Sequence, residues 1–295
     1  MTFLTHSPYT PPSYEFMLQH NVLMEGTTEG MYATSIANMQ RLEGVSVSAI
    51  TYDSDGLAVT GIEVLPTLAA GEKIPLMIYN RGGSGNYGML SPGQVTVLMA
   101  PFAMRMRVGV LASNYRGNGG SEGHEEWGGA DVNDVLNLLE LGKQQPWWDG
   151  KNIFMLGWSR GGMMTYLALK HGAVVNAAAV GAGAADLAAG AIFRPVMEEK
   201  VYRYYIPDFA ARREEAMRER SAVCWPELLT APLLLLHGDA DDKVHVDEAR
   251  RLSAQLTALG KPLRYVEYAG GNHGLKHHWK QWVDEVVAWF EAYRK

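Results

Sequence analysis

The chain has 295 residues and a formal net charge of −6, and its 47% hydrophobic content is that of a folded protein, not a disordered one. No run of lysine and arginine interrupts this acidic balance, so neither nucleic acid nor an anionic membrane is an expected partner. The single cysteine, Cys224, excludes an intrachain disulfide, and no signal-like or membrane-length apolar segment is visible, which predicts a soluble cytoplasmic protein.

The N-terminal part of the chain predicts an extension followed by a hairpin. Residues 1–44 contain a proline-rich turn and are too short to form a domain of their own. Residues 45–66 are two strand-like runs separated by Ser54-Asp55-Gly56, and an Asp-Gly pair is a strong signal for a tight hairpin. The sheet is therefore expected to begin antiparallel.

The remainder alternates strand-like and helix-like segments. Short apolar runs without alternation are typical of parallel strands buried on both faces. They occupy 74–80, 108–115, 152–159, 175–183, 232–238 and 263–269, and the clearest helical patterns occupy 128–145, 245–260 and 276–295. This alternation predicts one α/β domain over residues 1–295, with a mostly parallel central sheet and helices on both faces.

Residues 185–226 fall outside the alternation, because they are charged and helix-prone and separate two of the strand-like runs. Helical inserts beside a sheet edge often cover a functional site, so a small helical insert beside such a site is one interpretation. A solvated helical crossover with no such role is the other.

The segment Gly157-Trp158-Ser159-Arg160-Gly161 ends one strand-like run and directly precedes a helix-like one. Gly-x-Ser-x-Gly at this junction is typical of a nucleophile elbow, in which a strained turn projects the serine hydroxyl above the sheet. The pattern also occurs by chance, so a glycine-rich turn with a surface serine is the alternative. Its position favours Ser159 as a nucleophile, with the backbone N–H of Arg160 as an oxyanion donor.

A nucleophilic serine needs an acid and a histidine, and both follow it in the chain. Asp239, Asp241 and Asp242 lie in the loop after one late strand-like run, and His273 lies between the last such run and the final helix. Read alone, three acids after a strand also fit caps of the next helix. The order predicts Ser159, an acid near residue 241 and His273 as a catalytic set.

Other chemically notable residues receive structural interpretations. His237 ends a strand-like run and is interpreted as a hydrogen-bonded packing residue. His277 and His278 do not face one way and have no acids or cysteines at ligand spacing, so neither a metal nor another cofactor is predicted.

The glycines of the loop at 78–88 allow its backbone to approach a substrate carbonyl closely. A phosphate-binding loop is the weaker interpretation, because the segment lacks the Gly-Lys-Ser/Thr sequence that ends such loops.

Seven segments occur in the order found in catalytic domains of the prolyl oligopeptidase family, a branch of the α/β-hydrolases. The chain resembles this family over residues 45–293, on ITYDSDGLAVTGIEVLP, NRGGSG, NYRGNGGSEG, DVNDVLNLL, GWSRGG, HGDADDKV and GGNHG. Peptidases of the family carry a large N-terminal β-propeller, whereas about 44 residues precede the hydrolase region here. The resemblance therefore implies the fold and a serine hydrolase without that substrate filter.

The resemblance also implies residue roles. Ser159 corresponds to the nucleophile, Asp241 to the acid of His-Gly-x-x-Asp-x-x-Val, and His273 to the base. Relatives use His-Gly-Gly or Tyr-Gly-Gly as the oxyanion loop, and Arg81-Gly82-Gly83 stands at that place, so Gly82 and Arg160 are the predicted oxyanion donors. Arg81 replaces the tyrosine donor of some members, which leaves the role of its side chain open.

The predicted function is a carboxylesterase-like serine hydrolase acting through an acyl-enzyme on small esters. The alternatives are a peptidase of short or acylated peptides and a non-catalytic hydrolase-like binding protein. Arg81, Trp158 and Tyr205 are candidate substrate-binding residues, with ordinary packing as the other interpretation of the aromatic ones. A small ester or short peptide is thus the expected ligand, and the oligomeric state is left open, a homodimer included.

Overall fold

The structure is a computed structural model that describes residues 2–23 and 26–295. Met1, Met24 and Glu25 belong to the predicted N-terminal extension and lie outside the described residues. The chain divides into two units. The first contains the residues up to His124 and Asn133–Asn152, and the second contains Glu125–Val132 and Ile153–Lys295.

The first unit contains the predicted hairpin. Strands β2 (Val45–Ser54) and β3 (Leu57–Pro66) pair antiparallel along their whole length. Asp55 and Gly56 connect them with φ of 57° and 82°, so both central turn residues have the positive φ that a two-residue hairpin turn requires. The Asp-Gly signal in the sequence therefore marks the turn correctly.

Three further strands complete this part of the sheet, in the order β1-β2-β3-β5-β4. β1 (Phe3–Pro8) pairs antiparallel with β2 at an edge and is not predicted from the sequence. β5 (Gly109–Ser113) pairs antiparallel with β3 and parallel with β4 (Ile74–Asn80), and both β4 and β5 are buried along their whole length. Their continuous apolar character follows from burial on both faces.

The strands of the second unit form a parallel sheet. It consists of β6 (Trp148–Trp158), which begins in the first unit, followed by β7 (Ala177–Gly181), β8 (Leu233–Gly238) and β9 (Leu263–Tyr268) in that spatial order. β7 and β8 are buried throughout, whereas β9 at the edge is partly exposed. The mixed, mostly parallel sheet confirms the predicted α/β class.

Helices and short helical turns connect the strands. In chain order the helices are α1 (Tyr14–Gln19), α2 (Glu29–Gln40), α3 (Pro92–Gln94), α4 (Ala100–Met106), α5 (Val132–Gly142), α6 (Arg160–Lys170), α7 (Leu187–Phe193), α8 (Arg203–Tyr205), α9 (Phe209–Arg220), α10 (Val246–Ala258) and α11 (Trp279–Ala292). π-helical turns at Val95–Met99 and Glu198–Tyr202 precede α4 and α8, and 3₁₀ turns lie at Ala222–Cys224, Pro226–Leu228 and Lys276–His278. None of the helices in the described part of the chain has the length and apolar character needed to span a membrane.

Residues 185–226 are helical, as expected, and contain α7, α8 and α9. α7 begins at Asp186, whose carboxylate accepts a hydrogen bond from the N–H of Ala189 and so caps the helix. The position of this insert beside a functional site, the single-domain organisation and the cytoplasmic location stay predictions.

Candidate active site

Ser159 lies in a strained turn between β6 and α6. Its φ of 58° and ψ of −122° are rare for a residue other than glycine. The backbone holds this conformation from both sides, because Ser159 N–H donates to the carbonyl of Gly181 at 2.9 Å and Gly162 N–H donates to the carbonyl of Ser159 at 2.9 Å. Local geometry thus agrees with the predicted nucleophile elbow.

The glycines of the motif are required by close backbone packing. A Cβ on Gly157 would lie 2.2 Å from the carbonyl oxygen of Gly161, at the start of α6. A Cβ on Gly162 would lie 2.5 Å from Cγ1 of Val180 in β7. Both distances are far below van der Waals contact, so any side chain at these positions would push the helix away from the strands.

Asp241 and His273 are in direct contact. His273 Nδ1 lies 2.9 Å from Oδ2 and 3.0 Å from Oδ1 of Asp241. The Asp241 side chain is fully buried, whereas the imidazole keeps 24% of its surface exposed. The acid is therefore shielded from water while the histidine remains accessible to a substrate.

The other two acids of this loop have different partners. Asp239 Oδ1 accepts a hydrogen bond from Gly270 N–H at 2.6 Å and so fixes the start of the histidine loop. Asp242 is exposed and forms an ion pair with Lys243 at 2.9 Å. Of the three candidate acids, Asp241 is the one that meets His273.

The surroundings of Asp241 favour its ionised form. Burial raises its pKa, but hydrogen bonds from His237 and His273 lower it more, and the result lies well below the usual range. Two backbone donors, the N–H groups of Lys243 and Val244, also point at Oδ1 at 2.8 and 3.0 Å. A carboxylate opposite Nδ1 selects the imidazole tautomer protonated there and leaves Nε2 able to accept a proton.

His237 is a component of the site that the sequence does not reveal. Its Nε2 lies 3.0 Å from the carbonyl of Val244 and 3.2 Å from Oδ2 of Asp241, and the ring is buried. Both partners are acceptors, so Nε2 carries a proton and donates. The sequence interpretation as a hydrogen-bonded packing residue agrees with this contact but does not identify Asp241 as the partner.

Two glycines bring the acid loop against the histidine loop. A Cβ on Gly238, the last residue of β8, would lie 2.0 Å from the carbonyl oxygen of Gly271. The same carbonyl accepts a hydrogen bond from Ala240 N–H at 3.0 Å. This backbone contact places Asp241 within reach of His273.

Trp158 joins the serine turn to the histidine loop. Its indole Nε1 donates to the carbonyl of His273 at 2.9 Å, and its ring lies 4.9 Å from that of Trp282. The ring also covers Gly181 so closely that a Cβ there would lie 2.2 Å from the indole. Trp158 is only 8% exposed, so its contacts are those of a buried connecting residue, and a role in substrate binding stays a prediction.

Tyr205, the third candidate for substrate binding, lies at the end of α8. It is partly exposed, and its ring forms an edge-to-face contact with Tyr204 at 4.7 Å. Nothing in this pair singles out a substrate class, and the substrate role of Tyr205 stays a prediction.

The Arg81 side chain supports its own loop in the first unit. Its guanidinium is buried and donates to the carbonyls of Asn114 at 2.7 Å, Gly82 at 3.0 Å and Gly85 at 3.1 Å. Its Cζ also lies 5.0 Å from the centre of the Tyr115 ring. These contacts shape the loop that presents the Gly82 backbone, whose role as an oxyanion donor stays a prediction.

Arg160 also has a buried side chain, at the start of α6. Its guanidinium forms ion pairs with Glu125 and Asp131, two acids to which the sequence assigns no role. No group of three His, Cys, Asp or Glu side chains among residues 2–23 and 26–295 has the arrangement of a metal site.

Comparison with known sequences identifies a family and several relatives. The model of the prolyl oligopeptidase family matches residues 98–295. The chain is 30% identical over 230 residues to "Uncharacterized peptidase YtmA" of Bacillus subtilis, covering 78% of this chain and 86% of that protein. It is also 26% identical to the "Acylamino-acid-releasing enzyme" of Rattus norvegicus, over 69% of this chain and 29% of that protein.

Solved structures show the same fold. An acylaminoacyl peptidase in complex with Z-Gly-Gly-Phe-chloromethyl ketone superposes with a TM-score of 0.73 and 25% identity, over 88% of this chain and 43% of that one. A Pyrococcus horikoshii acylaminoacyl peptidase has a TM-score of 0.74 and 24% identity, over 88% and 44%. The chain thus spans less than half the length of these structures. With two thirds of its residues matched by the family model, it belongs to the prolyl oligopeptidase family.

Proposed function

We propose that this protein is a serine peptidase that hydrolyses short or N-acylated peptides through an acyl-enzyme. The observation that carries the proposal is the contact of Asp241 with His273, combined with the strained turn at Ser159. The bond from Trp158 to the His273 carbonyl supports it, because it connects the serine turn with the base. Family membership and the peptidase names of the relatives favour peptides over the small esters predicted from the sequence.

The reaction begins with proton transfer from the Ser159 hydroxyl to Nε2 of His273. The serine oxygen attacks the substrate carbonyl carbon, and the oxygen that becomes negative receives a hydrogen bond from the Arg160 N–H. The sequence resemblance gives Gly82 as the second donor. The imidazolium then protonates the leaving amine, the C–N bond breaks, and the acyl group remains on Ser159. Asp241, whose pKa is held low, stabilises the imidazolium formed in this step.

Water completes the cycle by the same route. It transfers a proton to His273 Nε2 and attacks the acyl carbon, and the protonated imidazole returns a proton to Ser159 as the acid is released. Esters pass through the same acyl-enzyme, so hydrolysis of activated esters accompanies peptidase activity.

The first experiment tests whether Ser159 is a nucleophile. A fluorophosphonate probe is applied to the purified wild type and to Ser159→Ala, and labelling is read by mass spectrometry of the modified peptide. We expect labelling of the wild type at Ser159 and none of the variant. An unlabelled wild type, or equal labelling of both proteins, would support the non-catalytic binding protein and overturn the proposal.

The second experiment tests the substrate class. Turnover is compared on N-acetyl-alanyl p-nitroanilide, on the matched p-nitroacetanilide that has no peptide bond, and on p-nitrophenyl acetate. The proposal expects hydrolysis of the peptide-like anilide and of the ester, with the plain anilide hydrolysed at least ~10-fold more slowly than the peptide-like one. Hydrolysis confined to the ester would restore the carboxylesterase prediction.

A further inference from the structure

The side chain of Arg160 has a buried environment that the reaction does not by itself require. Its backbone N–H is the proposed oxyanion donor, whereas its guanidinium lies inside the protein with 1% of its surface exposed. We infer that this guanidinium is a positioning device, which holds the Arg160 main chain so that its N–H points at the oxyanion. The inference rests on the proposed function.

Two acids hold the guanidinium. Arg160 Nη1 lies 2.7 Å from Oε1 of Glu125, and Nη2 forms an ion pair with Oδ2 of Asp131. The side chains of both acids are at most 1% exposed. A buried cation is tolerated only when it is paired, so displacement of the guanidinium would leave three charges without compensation. The pairing therefore restricts where the side chain, and with it Cα of Arg160, can lie.

The loop that carries these acids, residues 125–131, is itself shaped around the arginine. The ring of Trp127 lies 4.6 Å from Cζ of Arg160, in a cation–π contact. Trp127 has a left-handed φ of 48°, and Asp131 Oδ1 accepts a hydrogen bond from Gly128 N–H at 2.9 Å. This strained and internally bonded backbone makes the 125–131 loop a defined anchor.

A second arginine fixes the same loop from another side. Arg220 Nε donates to the carbonyl of Trp127 at 2.8 Å and Nη2 to that of Glu126 at 3.3 Å. Arg220 also forms an ion pair with Glu219 at 3.5 Å. Arg220 is attached to the loop but is 61 residues from Ser159 in the chain. Arg220 does not carry the donor N–H, so Arg220→Lys measures what a weaker hold on the loop does by itself.

The position of Arg160 gives this anchor a consequence for the reaction. Arg160 follows Ser159 directly and is the first residue of α6, so the anchored side chain and the donor N–H share one Cα. Oxyanion stabilisation depends on donors being in place before the charge develops, and small displacements cost ~10- to 100-fold in rate. Because the Arg160 side chain is paired with two carboxylates, displacement of the Arg160 N–H is limited.

The test uses a substrate pair that reports on the oxyanion donors. Turnover is measured on a p-nitrophenyl ester and on its thiono analogue, in which sulfur replaces the carbonyl oxygen. Sulfur is larger and accepts hydrogen bonds weakly, so the thiono substrate gains less from the N–H donors. A misplaced donor lowers the oxygen/sulfur rate ratio, whereas a purely structural defect lowers both rates together.

Arg160→Lys is the first variant, because it keeps the charge but not the two-pronged contact. We expect kcat on the oxygen ester to fall ~10- to 100-fold with little change in KM, and the oxygen/sulfur ratio to fall with it. Arg220→Lys is expected to lower Tm and to change the ratio much less than Arg160→Lys does, because Arg160 keeps both of its carboxylate partners. A folded Arg160→Lys protein with the wild-type ratio would overturn the inference.

Two further variants cover a failure of Arg160→Lys to fold. Arg160→Met combined with Glu125→Gln and Asp131→Asn removes all three charges at nearly constant volume, and Glu125→Gln alone keeps the pair with Asp131. Each is expected to lower the ratio, and a wild-type ratio in either folded protein contradicts the inference. Fluorophosphonate labelling of the wild type separates the two proposals. If the wild type is not labelled, the proposed function fails and this inference fails too. If the wild type is labelled but the variants keep the wild-type oxygen/sulfur ratio, this inference alone is overturned.

Discussion

The indole Nε1 of Trp158 donates a hydrogen bond to the main-chain carbonyl of His273 at 2.9 Å, across 115 residues of sequence. Trp158 is the neighbour of Ser159, so the bond joins the residue before the proposed nucleophile to the proposed base. The indole N–H can only donate, and its ring is packed against Gly181 and Trp282. The serine turn thereby restrains the loop that carries the imidazole.

Trp158→Phe tests whether the indole acts by restraining the loop that carries His273 or by binding the substrate. Phenylalanine retains part of the packing but lacks the donor, so we expect kcat on a p-nitrophenyl ester to fall ~3- to 10-fold with KM nearly unchanged. The free energy of unfolding in urea should fall by about 1–2 kcal/mol. A raised KM with unchanged kcat would instead favour the substrate-pocket role that the sequence predicts.

Asp241→Asn tests the acid. The amide N–H₂ group next to Nδ1 cannot select the tautomer that leaves Nε2 as the base, so kcat should fall ~1,000- to 10,000-fold. Asp239→Asn is the matched control, because its side-chain oxygen can still accept from Gly270 N–H, and it should change kcat by less than ~3-fold. The reverse pattern in steady-state kinetics would move the acid role to Asp239.

Glu248→Gln tests a buried carboxyl at the start of α10. Burial raises the pKa of Glu248 to about 7, against hydrogen bonds from the N–H groups of Asp186 and Ala185 that lower it. In the unfolded chain the carboxyl loses its proton near pH 4.5, so the folded state binds more protons between that pH and pH 7. Glu248 therefore lowers stability as pH rises through this window.

Glutamine is uncharged but keeps a side-chain oxygen, which can still accept hydrogen bonds from the N–H groups of Ala185 and Asp186. We expect Glu248→Gln to match the wild type at pH 4 and to exceed its free energy of unfolding by roughly 1–3 kcal/mol at pH 8. Urea denaturation at several pH values measures this difference. Equal pH dependence in both proteins would show that Glu248 titrates in the folded state as it does in the unfolded chain.

Asp134→Asn tests a buried ion pair in the first unit. Asp134 accepts hydrogen bonds from Arg116 Nη2 at 2.8 Å, Arg116 N–H at 2.7 Å and Ser54 Oγ at 2.6 Å, and it is fully buried. Removing its charge leaves the buried Arg116 guanidinium with only an exposed partner, so stability should fall by about 3–5 kcal/mol.

That exposed partner provides the control. Asp55 lies 2.8 Å from Arg116 Nη2 with 40% of its side chain exposed, and Asp55→Asn should cost less than about 1 kcal/mol. Chemical denaturation of both variants gives the comparison. Equal losses in the free energy of unfolding of the two variants would mean that burial does not determine how much each carboxylate contributes to stability.

Features carried by contiguous residues could be predicted from the sequence. Asp55 and Gly56 have the positive φ that their turn requires, and the apolar runs correspond to β4 to β9. In β4, β5, β7 and β8 burial on both faces selects apolar residues throughout. β1 is not predictable from the sequence, since its residues are mostly exposed and it is held by pairing with β2 at an edge. Its strand character depends on a neighbour, not on its own pattern.

The choice among chemically similar residues depended on tertiary contacts. Asp239, Asp241 and Asp242 lie within four positions, and only the resemblance to a family distinguished Asp241 before the structure showed its contact with His273. Likewise, the sequence shows an arginine after Ser159 but not the acids at 125 and 131 that hold it.

The hairpin, the parallel strands and the position of the serine turn follow from the amino-acid sequence, because turn chemistry and burial periodicity are properties of neighbouring residues. Which carboxylate meets His273, and where the Arg160 guanidinium lies, depend on contacts between segments that are far apart in the chain. Asp241 meets His273 because parallel β8 and β9 end at the same edge and because Gly238 and Gly271 allow their loops to touch. The Arg160 guanidinium is placed by Glu125 and Asp131, which lie far from it in the sequence. The close approach of two backbones depends on the packed sheet, and no single segment encodes it.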